Sequence, residues 1–523
     1  MSHPRRPLRV GLAIASAALA MTALGCTSSP APSGSSDPGT TAASGPRTLS
    51  VGISGKLQQA GWNPDTQPVF QNYPAEAVWD QIIRLDKFGK PLPGAAESFE
   101  FSKDNKSVTF HLREGMKFSD GTAVDSAAVK NAFEYQQKVN EGRFPKKMTF
   151  DTPDALTITA TWPTAVPTLP LVVRDIRMQC PAWLKAGVFD TPCGYGGYTL
   201  DAANSVTDSV LTFTKNPNYW DAANVPFDTL VVKAFDSDTA VLNALKTDQI
   251  DGALLGPSTI DEVDGAGLKG YPLSGETLRM ILSDHNGKVV PALGNVKVRQ
   301  AMNMVFDKQA MVDKLYGGHG TPATQIFREG SDAWIDGLTD PYPFDVEKAK
   351  SLMKEAGYEN GFEMTVATID GIGAETWLPY ITQQLGELKI TVKEERLTGP
   401  NAILDLLCLN TDDKKYPTPV WQLGNFGESL QDMRDYVLDD GTWNIAKQKD
   451  PKIDAWWAQI VAGTGDKAAI QKEMNQYTID NAWNIPFLNP QRVFAYNEKA
   501  LSVPDITTPD GTFPSIWDFK APA

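Results

Sequence analysis

The stretch Thr109–Tyr135 constrains the fold most, because its residue pattern changes from the period of a strand to that of a helix across one turn. Around its start, apolar residues alternate with polar ones, as in a strand with one buried face. The apolar positions are Val108, Phe110 and Leu112. Ser-Asp-Gly at positions 119–121 predicts the turn, and Asp125 predicts the N-cap of the helix. The stretch therefore predicts an ordered strand–turn–helix element.

The same stretch resembles a pattern of family 5 of bacterial extracellular solute-binding proteins, the dipeptide and oligopeptide family of ABC importers. That pattern runs F-x-L-R-x-G-x-x-F-x-D-G-T and is followed by a helix. The residues that match it are Leu112, Arg113, Gly115, Phe118, Asp120, Gly121 and Thr122.

Further stretches are similar to patterns of this family, in the same order along the chain. Cys193–Tyr198 resembles G-T-G-P-Y, although Tyr195 and Gly197 replace Thr and Pro. Leu211–Trp220 resembles a strand followed by R-N-P-x-Y-W. The stretches 295–323 and 342–358 resemble two helical patterns, V-R-x-A-x-x-x-A-I-D-R-x-x-I and Y-D-P-x-K-A-K-x-L-L-x-E-A-G-Y. The resemblance covers about residues 49–490.

This resemblance implies an α/β protein with the periplasmic-binding-protein type II fold. In that fold two lobes are joined by crossing strands at a hinge, and an extra domain lies on the first lobe. The resemblance places lobe one at residues 47–82, 196–284 and 488–523, the extra domain at 83–195, and lobe two at 285–487.

The N-terminus is typical of an export signal, and residues 1–25 are predicted to be a signal peptide. Arg5, Arg6 and Arg9 form a basic region that precedes an apolar run, Val10–Leu24, and this run is too short to span a membrane. Residues 23–26, Ala-Leu-Gly-Cys, resemble a bacterial lipobox, which predicts a lipid on Cys26 and anchoring to the outer face of the cell membrane. Ordinary secretory cleavage nearby is the alternative. Residues 26–46 are rich in Ser, Thr, Gly, Pro and Ala and predict a flexible tether.

Composition and motifs argue against several classes of function. The formal charge of −15 argues against nucleic acid as a partner, because binding a phosphate backbone needs clusters of Lys and Arg. The sequence has no nucleophile elbow, no zinc-protease helix and no P-loop. Of the four His residues, one lies in the signal, one on a polar strand face and two in loop-like sequence. We therefore expect no catalytic residues, no metal and no cofactor.

The cysteines permit one local disulfide. Cys180 and Cys193 lie close together in an exported chain, where a disulfide is stable. Cys408 is predicted to be a buried thiol.

In this family the ligand lies in the cleft between the lobes, so the resemblance points to side chains there. Arg279 is predicted to meet a ligand carboxylate with two hydrogen bonds, and a structural ion pair is the alternative. Trp377 and Trp421 are predicted to offer ring faces to flat or apolar ligand groups, with the core as the alternative. The loop after the first strand is predicted to touch ligand through Gln58, Trp62 and Asn63.

The stretch 420–428 departs from the family pattern. Peptide-binding members commonly carry an Asp here that pairs with the peptide's α-amino group, whereas this chain reads VWQLGNFGE. Glu428 is predicted to substitute for it, and solvent exposure is the alternative. The departure argues against a free peptide amino terminus. The candidate ligand residues in this stretch are Trp421, Gln422, Asn425, Phe426 and Glu428.

The predicted function is ligand capture by a monomer outside the cell, without catalysis. The protein would close on a peptide-like or other small solute and deliver it to the permease subunits of an ABC importer. The alternative is a solute sensor or chaperone-like binding protein with the same fold and no transport role. The sequence leaves four solute classes open: peptides, opines, sugars and aromatic acids.

Overall fold

The computed structural model describes residues 45–55, 57, 62, 73–87, 89–139, 147–174, 176–369, 373–399, 402–409, 414–425, 428–506 and 513–522. Its strands are β1 (Thr48–Ser54), β2 (Ile83–Leu85), β3 (Pro91–Pro93), β4 (Ala96–Phe101), β5 (Ser107–Leu112), β6 (Thr149–Asp151), β7 (Thr157–Thr161), β8 (Tyr198–Leu200), β9 (Val210–Lys215), β10 (Thr229–Phe235), β11 (Gly252–Leu255), β12 (Lys269–Leu273), β13 (Glu276–Ile281), β14 (Gly320–Pro322), β15 (Glu363–Ile369), β16 (Thr391–Leu397), β17 (Val420–Gly424), β18 (Asn484–Pro490) and β19 (Arg492–Tyr496).

The helices are α1 (Tyr73–Val78), α2 (Ser126–Val139), α3 (Leu169–Arg174), α4 (Pro181–Ala186), α5 (Asp238–Lys246), α6 (Ile260–Gly265), α7 (Val296–Met304), α8 (Lys308–Leu315), α9 (Val346–Glu355), α10 (Ala374–Gly386), α11 (Ala402–Leu406), α12 (Ser429–Val437), α13 (Pro451–Ala462) and α14 (Lys467–Asp480). Short 3-10 helices lie at Ala202–Asn204, Ala222–Asn224, Pro257–Thr259 and Pro291–Gly294. Among the described residues, no helix combines the length and apolar character that a membrane span requires.

A seven-stranded sheet, in the order β12-β19-β11-β1-β10-β9-β8, forms the first lobe. β1 lies inside this sheet and pairs in parallel with β10 along its full length and with β11. Side chains two apart on a strand share one face. Leu49 and Val51 of β1 are buried, and so are Leu230 and Val232 of β10, so this face of the two strands packs into the core.

The strand–turn–helix element predicted at Thr109–Tyr135 is present as β5 and α2, which confirms that prediction. β5 lies in a four-stranded sheet of order β4-β5-β7-β6, and its three apolar residues are buried. α2 packs over the sheet, with the rings of Phe110 and Phe133 centred 6.0 Å apart. Asp125 caps α2 by accepting a hydrogen bond of 2.9 Å from the backbone N–H of Ala128.

A second four-stranded sheet, in the order β14-β18-β13-β17, forms the centre of the second lobe. β13 is buried on both faces. Leu278 and Met280 face a core shared with α7, α8, α9 and α10. Ile281 faces the opposite core, which α12, α13 and α14 complete. Arg279 shares this second face because side chains alternate along a strand.

The chain passes between the two large sheets at two places. It crosses at Ser274–Gly275, between β12 and β13, and again at Gln491, between β18 and β19. β13 and all of β18 therefore belong to the second sheet by hydrogen bonding, although the sequence boundaries assign β13 and the end of β18 to lobe one.

Candidate functional site

Arg279 lies on β13 close to the crossing and is fully buried, with 0% exposure. Its guanidinium carbon lies 3.9 Å from the ring centre of Tyr436 on α12. Its Nη1 donates a hydrogen bond of 3.2 Å to the backbone oxygen of Ile326. Its Nε and Nη2 have no hydrogen-bond partner among the described residues. One edge of the planar group is thus held by the protein while another edge keeps two unused donors.

A buried cation with unused donors is costly, since buried charges are normally paired and fully hydrogen-bonded. Two adjacent N–H donors of a guanidinium group match the two oxygens of a carboxylate or the oxygens of a phosphate. The environment of Arg279 therefore favours an anionic group as the missing partner. A structural ion pair, the alternative considered from the sequence, is not found for Arg279 among the described residues.

Three aromatic side chains surround the same face of the sheet. Trp421 is the register partner of Arg279 on β17 and is half-buried. Its ring meets that of Trp443 edge to face at 5.5 Å, and Trp443 lies 6.5 Å from Tyr436. These rings supply flat, apolar surface beside the cation. The sequence singled out Trp421 but not Tyr436, whose contact with Arg279 joins distant parts of the chain.

Gln422 and Asn425 hold the crossing strands together. Gln422 Nε2 donates a hydrogen bond to a carboxylate oxygen of Glu276. The backbone N–H of Asn425 donates to the Gly275 oxygen at 2.6 Å, and its Nδ2 donates to Thr277 Oγ1 at 2.7 Å. Both side chains were predicted to bind ligand, and in this conformation they donate hydrogen bonds to residues 276 and 277.

Glu276 also links the two crossings to each other. Its Oε1 lies 3.5 Å from Nη1 of Arg492, the first residue of β19. Thr277 Oγ1 donates a hydrogen bond of 2.7 Å to Asn489 Oδ1 at the end of β18. The two chain segments that join the lobes therefore share one polar network.

Glu428 acts as a helix cap in this structure. Its Oε2 accepts a hydrogen bond of 3.1 Å from the backbone N–H of Leu430, and its Oε1 lies 3.7 Å from Lys467 Nζ. Burial raises the pKa of the Glu428 carboxyl. A Cβ on Gly89, in the β2–β3 hairpin, would lie 2.7 Å from Glu428 Cβ, so the hairpin backbone packs directly on this side chain.

The remaining predicted residues are placed as follows. Trp62 is 3% exposed and packs edge to face on Trp79 and Phe213 in the core of the first lobe. Trp377 is 1% exposed in the core under α10. Neither ring offers a free face in this conformation, because neighbouring apolar side chains cover it. The predicted residues that lie outside the described part of the chain are Gln58, Asn63, Phe426 and Cys26.

The structure also joins Cys180 and Cys193 in a disulfide, with their Cα atoms 5.4 Å apart. The backbone N–H of Cys180 donates to the Cys193 oxygen at 3.3 Å, so the two ends of the intervening loop are already adjacent. Cys408 is buried and is not part of this bond.

Comparison with known proteins places the chain in a family. Residues 90–475 match the family described as bacterial extracellular solute-binding proteins, family 5 Middle. The chain is 30% identical over 329 residues to Heme-binding protein A of Haemophilus influenzae, a match covering 56% of this chain and 58% of that protein. It is 29% identical over 332 residues to the glutathione-binding protein GsiB of Escherichia coli K12, covering 60% and 63%. The matches thus span about three fifths of these relatives.

Solved structures agree over almost the whole chain. AgaA of A. tumefaciens R10, in complex with agropinic acid, gives a TM-score of 0.77 at 22% identity, covering 91% of this chain and 99% of that one. OppA of Haemophilus influenzae, in complex with the peptide RPPGFSPFR, gives 0.72 at 19% identity, covering 92% and 100%. These likenesses show the two-lobed type II fold that the sequence predicts. The chain belongs to family 5 of the bacterial extracellular solute-binding proteins.

Proposed function

We propose that this protein is the extracytoplasmic substrate-binding protein of an ABC importer and that it captures a small anionic solute. The observation that carries the anionic specificity is Arg279, whose two unused guanidinium donors are buried in this conformation, so that a solute reaches them only when the side chains that cover them move. Membership of the solute-binding family and the two-lobed fold support the general role.

The similar proteins do not fix the solute. Their names and structures include heme, glutathione, agropinic acid and a nine-residue peptide. The class of solute must therefore be inferred from the side chains of this protein. Arg279 selects for a carboxylate or phosphate, and Trp421 and Trp443 select for a flat or apolar part beside it.

Capture would proceed by closure of the lobes. A solute that contacts both lobes binds the closed state more tightly than the open one and shifts the population towards closure. The hinge would be the crossing segments, which the Glu276–Arg492 pair links. The closed protein would then present the solute to the permease subunits of the importer.

The location follows from the N-terminal sequence. We propose that residues 1–25 direct export, that Cys26 carries a lipid on the outer face of the cell membrane, and that residues 26–46 tether the lobes to it. A tether leaves the lobes free to reorient towards a permease in the same membrane.

The test is a thermal-shift screen of matched pairs, in which each organic acid is compared with its own primary amide. A ligand at a hundredfold excess over its dissociation constant stabilises the folded state by about 2.7 kcal/mol. We expect an acid to raise the melting temperature while its amide does not. Equal shifts from acid and amide, or shifts from neutral sugars alone, would contradict the anionic assignment.

A further inference from the structure

The β2–β3 hairpin is fixed to the first lobe. Ile83 and Leu85 are buried in the same apolar core as side chains of β1 and β10. Lys87 Nζ lies 3.1 Å from Asp505 Oδ2, and Tyr271 of β12 donates a hydrogen bond of 3.1 Å to Asp505 Oδ1. The hairpin therefore moves with the first lobe when the lobes move relative to each other.

The tip of the hairpin is a turn closed by its own hydrogen bonds. The backbone N–H of Asp86 donates to the Lys90 oxygen at 3.0 Å, and that of Gly89 donates to the Asp86 oxygen at 2.9 Å. Gly89 has a φ of +78°, a conformation that favours glycine. Gly89 is buried, although connecting turns normally lie on the surface of a protein. A residue outside the hairpin therefore covers the tip.

Glu428 of the second lobe covers this tip. A Cβ built on Gly89 would lie 2.7 Å from Glu428 Cβ, 3.3 Å from its Cγ and 3.7 Å from its backbone nitrogen. These are the three nearest atoms among the described residues, the chain neighbours of Gly89 excepted. Glu428 is the N-cap of α12, whose buried side chains belong to a core of the second lobe. The contact therefore joins the two lobes through segments other than the two crossings.

The side chain of Glu428 is held at both ends. Its Cβ is fixed by the backbone at the start of α12, and its Oε2 accepts the hydrogen bond from the backbone N–H of Leu430. Its Oε1 lies 3.7 Å from Lys467 Nζ at the start of α14. Because packed interiors do not deform freely, a larger residue at position 89 requires a backbone shift or a separation of the lobes at this point.

We propose that Gly89 and Glu428 form a latch that stabilises the closed arrangement of the lobes before any solute is bound. Opening the lobes at this point breaks the contact and exposes the hairpin tip to water. Since a solute that contacts both lobes prefers the closed state, a larger closed fraction raises its apparent affinity. The inference rests on the lobe motion of the proposed function, but not on the anionic character of the solute.

Single-molecule energy transfer in the ligand-free protein tests the latch, with dyes on Lys499→Cys of the first lobe and Asn360→Cys of the second. Both positions are exposed, whereas the free thiol Cys408 is buried. We expect a closed population at the distance found in this structure. Gly89→Ala should lower the ratio of closed to open molecules at least about fivefold, because an added methyl group overpacks the contact. A wild type without this population, or an unchanged ratio in Gly89→Ala, would overturn the proposal.

Gly115→Ala is the matched control for backbone strain. Gly115 is exposed and has a φ of +71°, and a Cβ there would meet no described atom within 4 Å. This variant should leave the ratio of closed to open molecules unchanged. An equal loss in Gly115→Ala and Gly89→Ala would show that strain in the turn causes the effect, and the latch would be wrong.

A Glu428→Gly background separates the contact between the lobes from local damage to the hairpin. It removes Cβ and Cγ and leaves the backbone nitrogen at 3.7 Å, an ordinary contact distance, and glycine is an acceptable N-cap. Gly89→Ala should therefore lower the closed fraction when Glu428 is present but not in a Glu428→Gly protein. An equal effect in both backgrounds would overturn the latch.

Failure of the latch and failure of the proposed function give different results. The populations are measured without solute, so they keep their predicted order even if no acid raises the melting temperature in the thermal-shift screen. In that case the anionic assignment fails and the latch stands. An acid that binds tightly to a protein whose populations ignore Gly89→Ala leaves the proposed function standing and removes the latch.

Discussion

Replacing Arg279 with Gln should weaken binding of the anionic solute far more than it weakens the fold. Truncating one partner of a buried, hydrogen-bonded charge pair costs about 2–5 kcal/mol of binding free energy, a factor of about 30 to 5,000 in the dissociation constant. Gln keeps a donor but removes the charge and the paired N–H edge. The solute for the assay is the acid that gives the largest thermal shift.

Arg279→Gln should change the free energy of unfolding of the ligand-free protein only slightly, because the stabilising and destabilising effects of the substitution offset each other. The variant loses the 3.2 Å hydrogen bond to Ile326 and the stacking on Tyr436. The hydrogen bond contributes about 1–3 kcal/mol, and the stacking contributes about 0.5–2 kcal/mol. The substitution also removes an unpaired buried cation, whose desolvation costs several kcal/mol, and this removal stabilises the fold. Urea unfolding should therefore show a change in free energy of less than about 2 kcal/mol.

Arg279→Lys is the matched control, since it keeps the charge but lacks the planar pair of donors. Calorimetric titration should show that Lys recovers only part of the lost affinity. An Arg279→Gln protein that is folded and binds the acid as tightly as the wild type would refute the role of Arg279.

Three further predictions concern the disulfide, the anchor and pH. Non-reducing peptide mapping should find Cys180 joined to Cys193, and replacing both with Ser should lower the unfolding free energy by about 3 kcal/mol, from the loop closed by a separation of 13 residues. Cys26→Ser should move the protein from the membrane fraction to the medium, and unchanged partition would count against the lipid. Burial raises the pKa of Glu76 from 4.5 to about 7. Between pH 4.5 and 7 the folded state therefore keeps a proton that the unfolded state releases. As pH rises through this range, about 3 kcal/mol of the free energy of unfolding should be lost. Glu76→Gln should remove that slope in urea unfolding.

The sequence predicts local elements well because the signals for them are local. Asp125 accepts a hydrogen bond from the backbone N–H of Ala128 at the start of α2, the helix that it was predicted to cap. The alternation around Phe110 likewise gives a strand with that face buried. In each case the residues that decide the structure are neighbours in the chain.

The site is less predictable, because exposure depends on which distant segments cover a side chain. The sequence offered Trp62 and Trp377 as ligand contacts, yet both rings are covered by apolar side chains from other elements. Glu428 was proposed as a ligand group, and it caps α12. For Arg279 the sequence offered two roles, a contact with a ligand carboxylate and a structural ion pair. Only the structure shows that two of its donors are buried and have no hydrogen-bond partner among the described residues.

The central claim is that two lobes close on a solute around the crossing strands. Small-angle X-ray scattering of the protein with and without the acid found by thermal shift tests it most directly. The account predicts a smaller radius of gyration in the bound state for the wild type, and no change for Arg279→Gln at the same acid concentration. An acid that binds the wild type tightly and leaves its radius of gyration unchanged would contradict closure as the mechanism of capture.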